Sequence, residues 1–192
     1  YGTMRLLNVA HGDLVMIGAY VAFIAFSVLN IGPLVSMFGA ALICGFLGWL
    51  SYKCVFQRLL SNGQILSRLE ENSLLLFFGL SVIIQNLAIL FFSADRQGYE
   101  YLSAIVEIGD VRLTGARLTV LIVGAIISAA AVFFLRFSLF GLAMNALIQN
   151  RDASAIVGIN VDRVQMLSLI IGFGITGLAG ALISMMEPIT PV

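Results

Sequence analysis

Apolar residues in this chain come in long runs separated by short polar stretches. Five runs stand out, at residues 14–29, 34–52, 73–92, 118–137 and 164–186. Each approaches the roughly 20 residues that a helix needs to cross a hydrocarbon layer of about 30 Å. Backbone N–H and C=O groups in hydrocarbon have no water to bond, so a spanning run must satisfy them internally, as α-helix. The alternation of polar and apolar positions that marks a membrane barrel strand is absent from these runs. The pattern predicts an all-α, polytopic transmembrane helix bundle of about five spans, a single domain over residues 1–192. The first run extends backwards through a polar patch as far as Asn8.

The connections set the expected orientation. Residues 30–33, Asn-Ile-Gly-Pro, make a tight turn between the first two spans. Residues 53–72 and 138–163 must share one side, because two spans separate them. Together with Arg136 they hold six basic residues (Lys53, Arg58, Arg68, Arg136, Arg151 and Arg163), against Arg96, Arg112 and Arg117 in residues 93–117. Lys and Arg concentrate on the cytoplasmic side of membrane proteins. Residues 138–163 are therefore expected in the cytoplasm and residues 93–117 outside it, where 105–113 reads as a short hairpin.

Composition sharpens this picture. The chain is 60% hydrophobic and 10% charged, with ten basic and ten acidic residues, against about 25% charged in an average soluble domain. A soluble enzyme is not expected, a disordered chain is excluded, and a balanced charge gives no reason to expect nucleic acid. Lipid is the expected solvent. Cys44, inside an apolar run, and Cys54, beside Lys53, form neither a disulfide framework nor a metal set. The chain starts at Tyr1, has no signal-peptide pattern and stops shortly after an apolar run. It is expected to be an internal piece of a longer protein.

Small residues recur every fourth position in two spans. Gly172, Thr176, Gly180 and Ser184 do so in the fifth, and Ser36, Ala40, Cys44 and Gly48 in the second. This spacing lets helix backbones approach closely and predicts a tightly packed bundle. Residues 172–177 also match the G-x-G-x-x-G dinucleotide pattern, but they sit inside an apolar helix with no preceding strand, so no cofactor is expected.

Three polar constellations carry candidate chemistry. The patch containing Asn8, His11, Gly12 and Asp13 borders the first span. It has two readings. Either a helix starts at membrane depth and its polar residues line a water-accessible path, or Asn8 or Asp13 caps an interfacial helix. His11 is the single histidine, so neither a multi-histidine metal centre nor a hydrolase triad is expected. Gln85 and Asn86 lie mid-span, Gln85 on a face with Ser81 and Phe77. They read as glue between helices or as contacts to a polar solute. Residues 138–163 suggest two short helices, at 143–148 and 150–157, with Asn150 or Asp152 as a cap and Gly158 as the stop. Such a pair suits docking in a partner's groove or lying among headgroups.

Taken together, Leu7-Asn8-Val9-Ala10-His11-Gly12-Asp13, Met16–Tyr20, Gly79–Asn86, Gly141–Val161 and Gly177-Leu178-Ala179-Gly180 resemble the LivH-like family. These are the permease subunits of bacterial ABC importers for branched-chain amino acids. The resemblance implies a helical permease usually of about eight spans, so this chain would lack the first and last few. It implies a substrate pathway near Asn8, His11, Gly12 and Asp13, with Gln85 and Asn86 as further candidates. It also implies an ATPase-coupling loop containing Gly141, Asn145, Ala146, Asn150, Arg151, Asp152, Ala155, Gly158, Ile159 and Asn160. Where the family commonly has Arg-Ala, this chain has Asn145-Ala146, which removes a basic residue from that loop.

The expected partners are ABC ATPase subunits, a second homologous permease subunit and an extracytoplasmic solute-binding protein, in the bacterial inner membrane. ATP hydrolysis would belong to the partner subunits. The alternatives are a permease for urea or short amides, and a passive solute channel.

Overall fold

The structure is a computed structural model that describes residues 10–56, 69–92, 95–102, 104–108 and 111–190. Among the described residues there are seven α-helices. α1 is His11–Leu29 and α2 is Pro33–Ser51, which continues into a π-helical turn at Tyr52–Phe56; α3 is Leu69–Phe92. A hairpin of β1 (Ile105–Ile108) and β2 (Val111–Thr114) follows. α4 is Gly115–Phe137, α5 Leu139–Gln149, α6 Arg151–Ile156 and α7 Val161–Ile183. Five stretches are long and apolar enough to cross a membrane: His11–Leu29, Pro33–Cys54, Leu74–Phe92, Gly115–Phe137 and Val161–Ile183.

The predicted runs locate every span, and the differences fall at the ends. α3 is described from Leu69, so the helix already covers residues ahead of the predicted 73. α7 begins at Val161, not 164, because the Asn160 Oδ1 accepts from the Arg163 N–H at 3.0 Å and caps it there. It ends at Ile183, and turns carry the chain through Met186. The turn at 30–33 is set by Asn30, whose left-handed backbone (φ 52°) closes α1, and by Pro33 at the start of α2. The hairpin pairs Ile105 with Thr114 and Glu107 with Arg112.

α1, α2 and α7 form the centre. α2 and α7 run antiparallel, with Gly48 against Leu169 and Phe173, Gly45 against Ile170, and Gly174 against Ala41. A Cβ on Gly177 would lie 2.6 Å from the Ala40 carbonyl oxygen and 2.8 Å from the Cys44 Sγ. α1 crosses α7 where a Cβ on Gly18 would collide with the Gly177 backbone, and one on Gly180 with Val15. Lipid tails are as apolar as leucine, so helices associate in lipid through such close packing. Of the small residues singled out in the fifth span, Thr176, Gly180 and Ser184 are buried, whereas Gly172 is exposed and a Cβ there would meet nothing within 4 Å.

The other two spans are attached differently. α3 joins α1 through Tyr20 stacked on Phe92 at 4.1 Å and through a shared apolar cluster. α4 touches the centre near its start, where Ala116, Leu182 and Met185 are buried together. The two ends of the bundle are distinct. Trp49, Tyr52 and Lys53 line one cavity with Asp162 and Arg163. At the opposite end Phe26 stacks on Tyr99 at 4.7 Å, and Gln97 bridges Ile189.

Overpacking a tight helix crossing costs about 1–3 kcal/mol. Gly18→Val is therefore expected to lower unfolding stability in detergent by that amount. Gly39→Ala, in open space on α2, is expected to leave it unchanged or raise it by up to about 1 kcal/mol. Equal stability of the two variants would remove the crossing from its central role.

Candidate functional site

The interior of a membrane bundle is apolar, so polar side chains at depth identify themselves. Cys44, about 17 Å into α2 at 1.5 Å per residue, directs its S–H to the Leu14 carbonyl at 3.7 Å. Thr176 lies about 22 Å along α7 by the same measure, and its Oγ1 is 3.3 Å from the His11 Nδ1. α1 therefore begins partway down the bundle, beside the middle of its two neighbours. Ala10 stands at its N-cap position and no side chain caps it.

His11, Asp13, Ser81, Gln85 and Thr176 make a polar stripe at this depth. The Thr176 hydroxyl donates to the Gly172 carbonyl at 2.9 Å. With that hydrogen so engaged, the His11 Nδ1 is the donor in its contact with Thr176. Two residues on, Asp13 points elsewhere: its Oδ1 accepts from the Gln85 Nε2 at 2.9 Å. The same amide nitrogen lies 3.4 Å from the Ser81 Oγ. Asp13 and Ser81 are 8% and 7% exposed. His11 and Gly12 are exposed, and a Cβ on Gly12 would meet nothing within 4 Å. Asp13 is thus covered on the α3 side, whereas His11 and Gly12 at the start of α1 are exposed.

The remaining predicted positions fall as follows. Asn8 lies outside the described residues. Asn86 is exposed and its Nδ2 donates to the Val82 carbonyl of its own helix at 2.7 Å, so it does not join the stripe. Ser184 is buried, within 2.8 Å of the Tyr99 hydroxyl. Burial pushes the Tyr99 hydroxyl above the ordinary phenol range, and the Ser184 bond partly opposes this. Two buried polar residues escaped the sequence reading: Tyr20, whose hydroxyl has no hydrogen-bond partner among the described residues, and Gln165, 1% exposed with its Oε1 likewise unpartnered. The available signal was a lone amide or phenol inside an apolar run.

Residues 138–163 form an elbow built from caps. The Ser138 Oγ accepts from the Gly141 N–H at 3.0 Å, and a Cβ on Gly141 would collide with the Leu135 backbone. α5 is longer than the predicted 143–148 because this cap starts it at Leu139. The Asn150 Oδ1 accepts from the Ala153 N–H at 3.0 Å, and the buried Ser154 hydroxyl donates to the Asn150 carbonyl at 2.7 Å. Gly158 has φ +89°, a backbone that favours glycine, and the Ile159 N–H returns to the Ser154 carbonyl at 3.0 Å. Asn145, Asp152, Ala155 and Asn160 are exposed, whereas Ala146, Arg151 and Ile159 are partly covered. Leu139, Leu142, Ile156 and Val157 leave an apolar surface open on this elbow.

Five helices long and apolar enough to cross a membrane make this a multi-pass membrane protein. The family described as "Branched-chain amino acid transport system / permease component" matches residues 1–192. The chain belongs to that family. It is 24% identical over 197 residues to the high-affinity branched-chain amino acid transport system permease protein LivH of Salmonella typhimurium, covering 95% of this chain and 62% of that protein. It is 25% identical over 198 residues to the corresponding protein BraD of Pseudomonas aeruginosa, covering 96% and 63%. To a probable branched-chain amino acid transport permease protein LivH of Methanocaldococcus jannaschii it is 25% identical over 206 residues, covering 100% and 61%. The chain thus spans less than two thirds of the length of these curated relatives. No solved structure matches it.

Interhelical hydrogen bonds in membranes contribute about 0.6 kcal/mol on average and up to about 1.7. A double-mutant cycle with Asp13→Ala and Gln85→Ala, read by unfolding in detergent, is expected to give a coupling within that range. Additive losses would mean that the amide does not hold α3 to α1.

Proposed function

We propose that this chain is the membrane-embedded part of a permease subunit that imports branched-chain amino acids at the expense of ATP hydrolysed on partner subunits. The observation that carries the reading is the polar start of α1 at mid-depth, within a chain matched by the permease family over residues 1–192. An amino acid brings a charged backbone and an apolar side chain. His11 and Gly12 offer polar contacts at the mouth of α1, while the surrounding spans offer apolar walls. Gln85 serves in this reading as the residue that holds Asp13, and Asn86 has no role in the path. The three relatives above carry branched-chain amino acid transport in their names, which favours that solute over urea or short amides.

Coupling would run through the elbow at 138–163, taken as cytoplasmic together with Lys53 at the same end of the bundle. Its open apolar surface at Leu139, Leu142, Ile156 and Val157 fits a groove on an ABC ATPase. The caps at Ser138, Asn150 and Asn160 tie the elbow to α4 and α7, so a pull on it reaches α7 and, through the Gly18–Gly177 crossing, α1. The hairpin end, with residues 93–117, would face outward toward a solute-binding protein. A second permease subunit completes the assembly in the bacterial inner membrane.

The test uses the whole complex in proteoliposomes. ATP-dependent uptake of a branched-chain amino acid is expected, and uptake without ATP would favour a passive channel. His11→Ala and Asn8→Ala are expected to reduce uptake with assembly intact. Gly158→Pro cannot adopt φ +89° and loses the N–H that Gly158 donates to Ala155. With Arg151→Glu it is expected to lower substrate-stimulated ATP hydrolysis at least several-fold. Normal hydrolysis in both variants would remove the elbow from coupling.

A further inference from the structure

One charge at membrane depth has no counterion among the helices around it. Asp13 is 8% exposed, near the start of α1, and the partner that holds its carboxylate is the uncharged Gln85 amide. α1, α2 and α3 contain no Lys or Arg. In α7, Arg163 stands in the first turn, about 20 Å along the helix from Thr176 at 1.5 Å per residue. A carboxylate at this depth is costly without a cation, and such residues mark the path of a charged solute.

The side of α1 that carries Asp13 continues toward the hairpin end as one wall of an apolar crevice. Ile17 and Val21 follow Asp13 at four-residue spacing, so they share its helix face. α3 supplies the facing wall, with Ile84 next to Gln85 in the chain and Ala88 one turn beyond it. The stacked rings of Tyr20 and Phe92 line the crevice farther along. Its volume is about 270 Å³, more than the roughly 150 Å³ of an apolar cavity that accepts benzene. Ile24 and Phe91 at its edge are exposed, so it is open on one side.

We infer that this crevice receives the aliphatic side chain of the carried amino acid, with the Asp13 carboxylate at its inner end as partner of the α-ammonium. The inference rests on the transport reading and adds to it the residues that select the solute. Three features follow one another along α1 in the order that an α-amino acid needs. The exposed start at His11 and Gly12 has no side-chain cap, and its first N–H groups suit a carboxylate. Asp13 comes next for the ammonium, and Ile17 and Val21 for the side chain.

Charge decides among the occupants. A lipid tail, or the side chains of another span, would fill the crevice and leave Asp13 without a cation. A polar side chain would give up its hydration for an apolar lining that offers no partner. The crevice therefore favours an aliphatic solute that carries an ammonium.

The test is equilibrium binding of radiolabelled leucine to the whole purified complex without ATP, beside ATP-driven leucine import by the same preparation in proteoliposomes. Saturable binding is expected in wild type. Isoamylamine keeps the ammonium and the branched chain, and should displace leucine about tenfold better than isocaproate, which keeps the carboxylate and the chain. Asp13→Asn retains the acceptor for Gln85 and removes the charge; it should weaken leucine binding by about tenfold or more with the thermal midpoint unchanged. Ala88→Phe narrows the crevice, and should weaken leucine binding by about tenfold and alanine binding by less than about threefold. Undiminished leucine binding in Asp13→Asn would overturn the charge pairing. Undiminished binding in Ala88→Phe would give the crevice to lipid or to another span. Leucine import by wild type with no saturable binding would overturn the site and leave the transport reading standing, whereas absence of ATP-driven import would overturn both.

Discussion

Everything else in this bundle depends on how closely α1 and α7 approach. In lipid there is no hydrophobic drive to press one apolar helix on another, so contact must come from van der Waals packing between backbones. Gly18 meets Gly177, and Gly180 meets Val15, at distances that leave no room for a side chain. Gly177 at the same time faces Ala40 and Cys44 of α2. Three helices are thereby locked at one level. Because α1 is pinned there, its first residues stop beside the middle of α7.

That placement gives the polar residues their meaning. A helix that begins at depth exposes N–H groups and polar side chains where water is scarce, a costly arrangement unless partners or a path are present. Thr176 takes His11, and Gln85 takes Asp13, so two neighbouring residues of α1 are held by two different helices. α3 therefore joins the centre through an amide, a ring stack and the apolar packing of Phe77 and Ile84, where α2 and α7 join through glycines. The contrast sets the close-packed α1, α2 and α7 apart from α3, which the Gln85–Asp13 hydrogen bond joins to α1.

Much of the fold was legible because length and hydropathy alone force spanning helices. The packing positions Ser36, Ala40, Cys44 and Gly48 were legible too, since four-residue spacing in a helix is also spatial adjacency. The ends were not. Asn160 and Ser138 each start a helix by accepting a backbone N–H, and an apolar run does not count capping residues. Gly172 continues the small-residue series but lies on the exposed side of α7, because a stripe of period four drifts around a helix of 3.6 residues per turn. At the site, sequence separated His11 from Asp13 correctly by their offset of two. It could not pair either with Thr176 or Gln85, since those contacts depend on where α1 crosses α7. The Tyr20 hydroxyl, without a hydrogen-bond partner among the described residues, was invisible for the same reason: lacking a partner is a property of packing.

The most direct measurement is cysteine accessibility at the start of α1, with His11→Cys in a chain carrying Cys44→Ala and Cys54→Ser, within the whole reconstituted complex. A membrane-impermeant thiol reagent is expected to modify this position at a rate that changes between nucleotide-free and ATP-bound states, and that falls when a branched-chain amino acid is bound. A position that never reacts, or that reacts at one rate regardless of nucleotide and solute, would contradict the account.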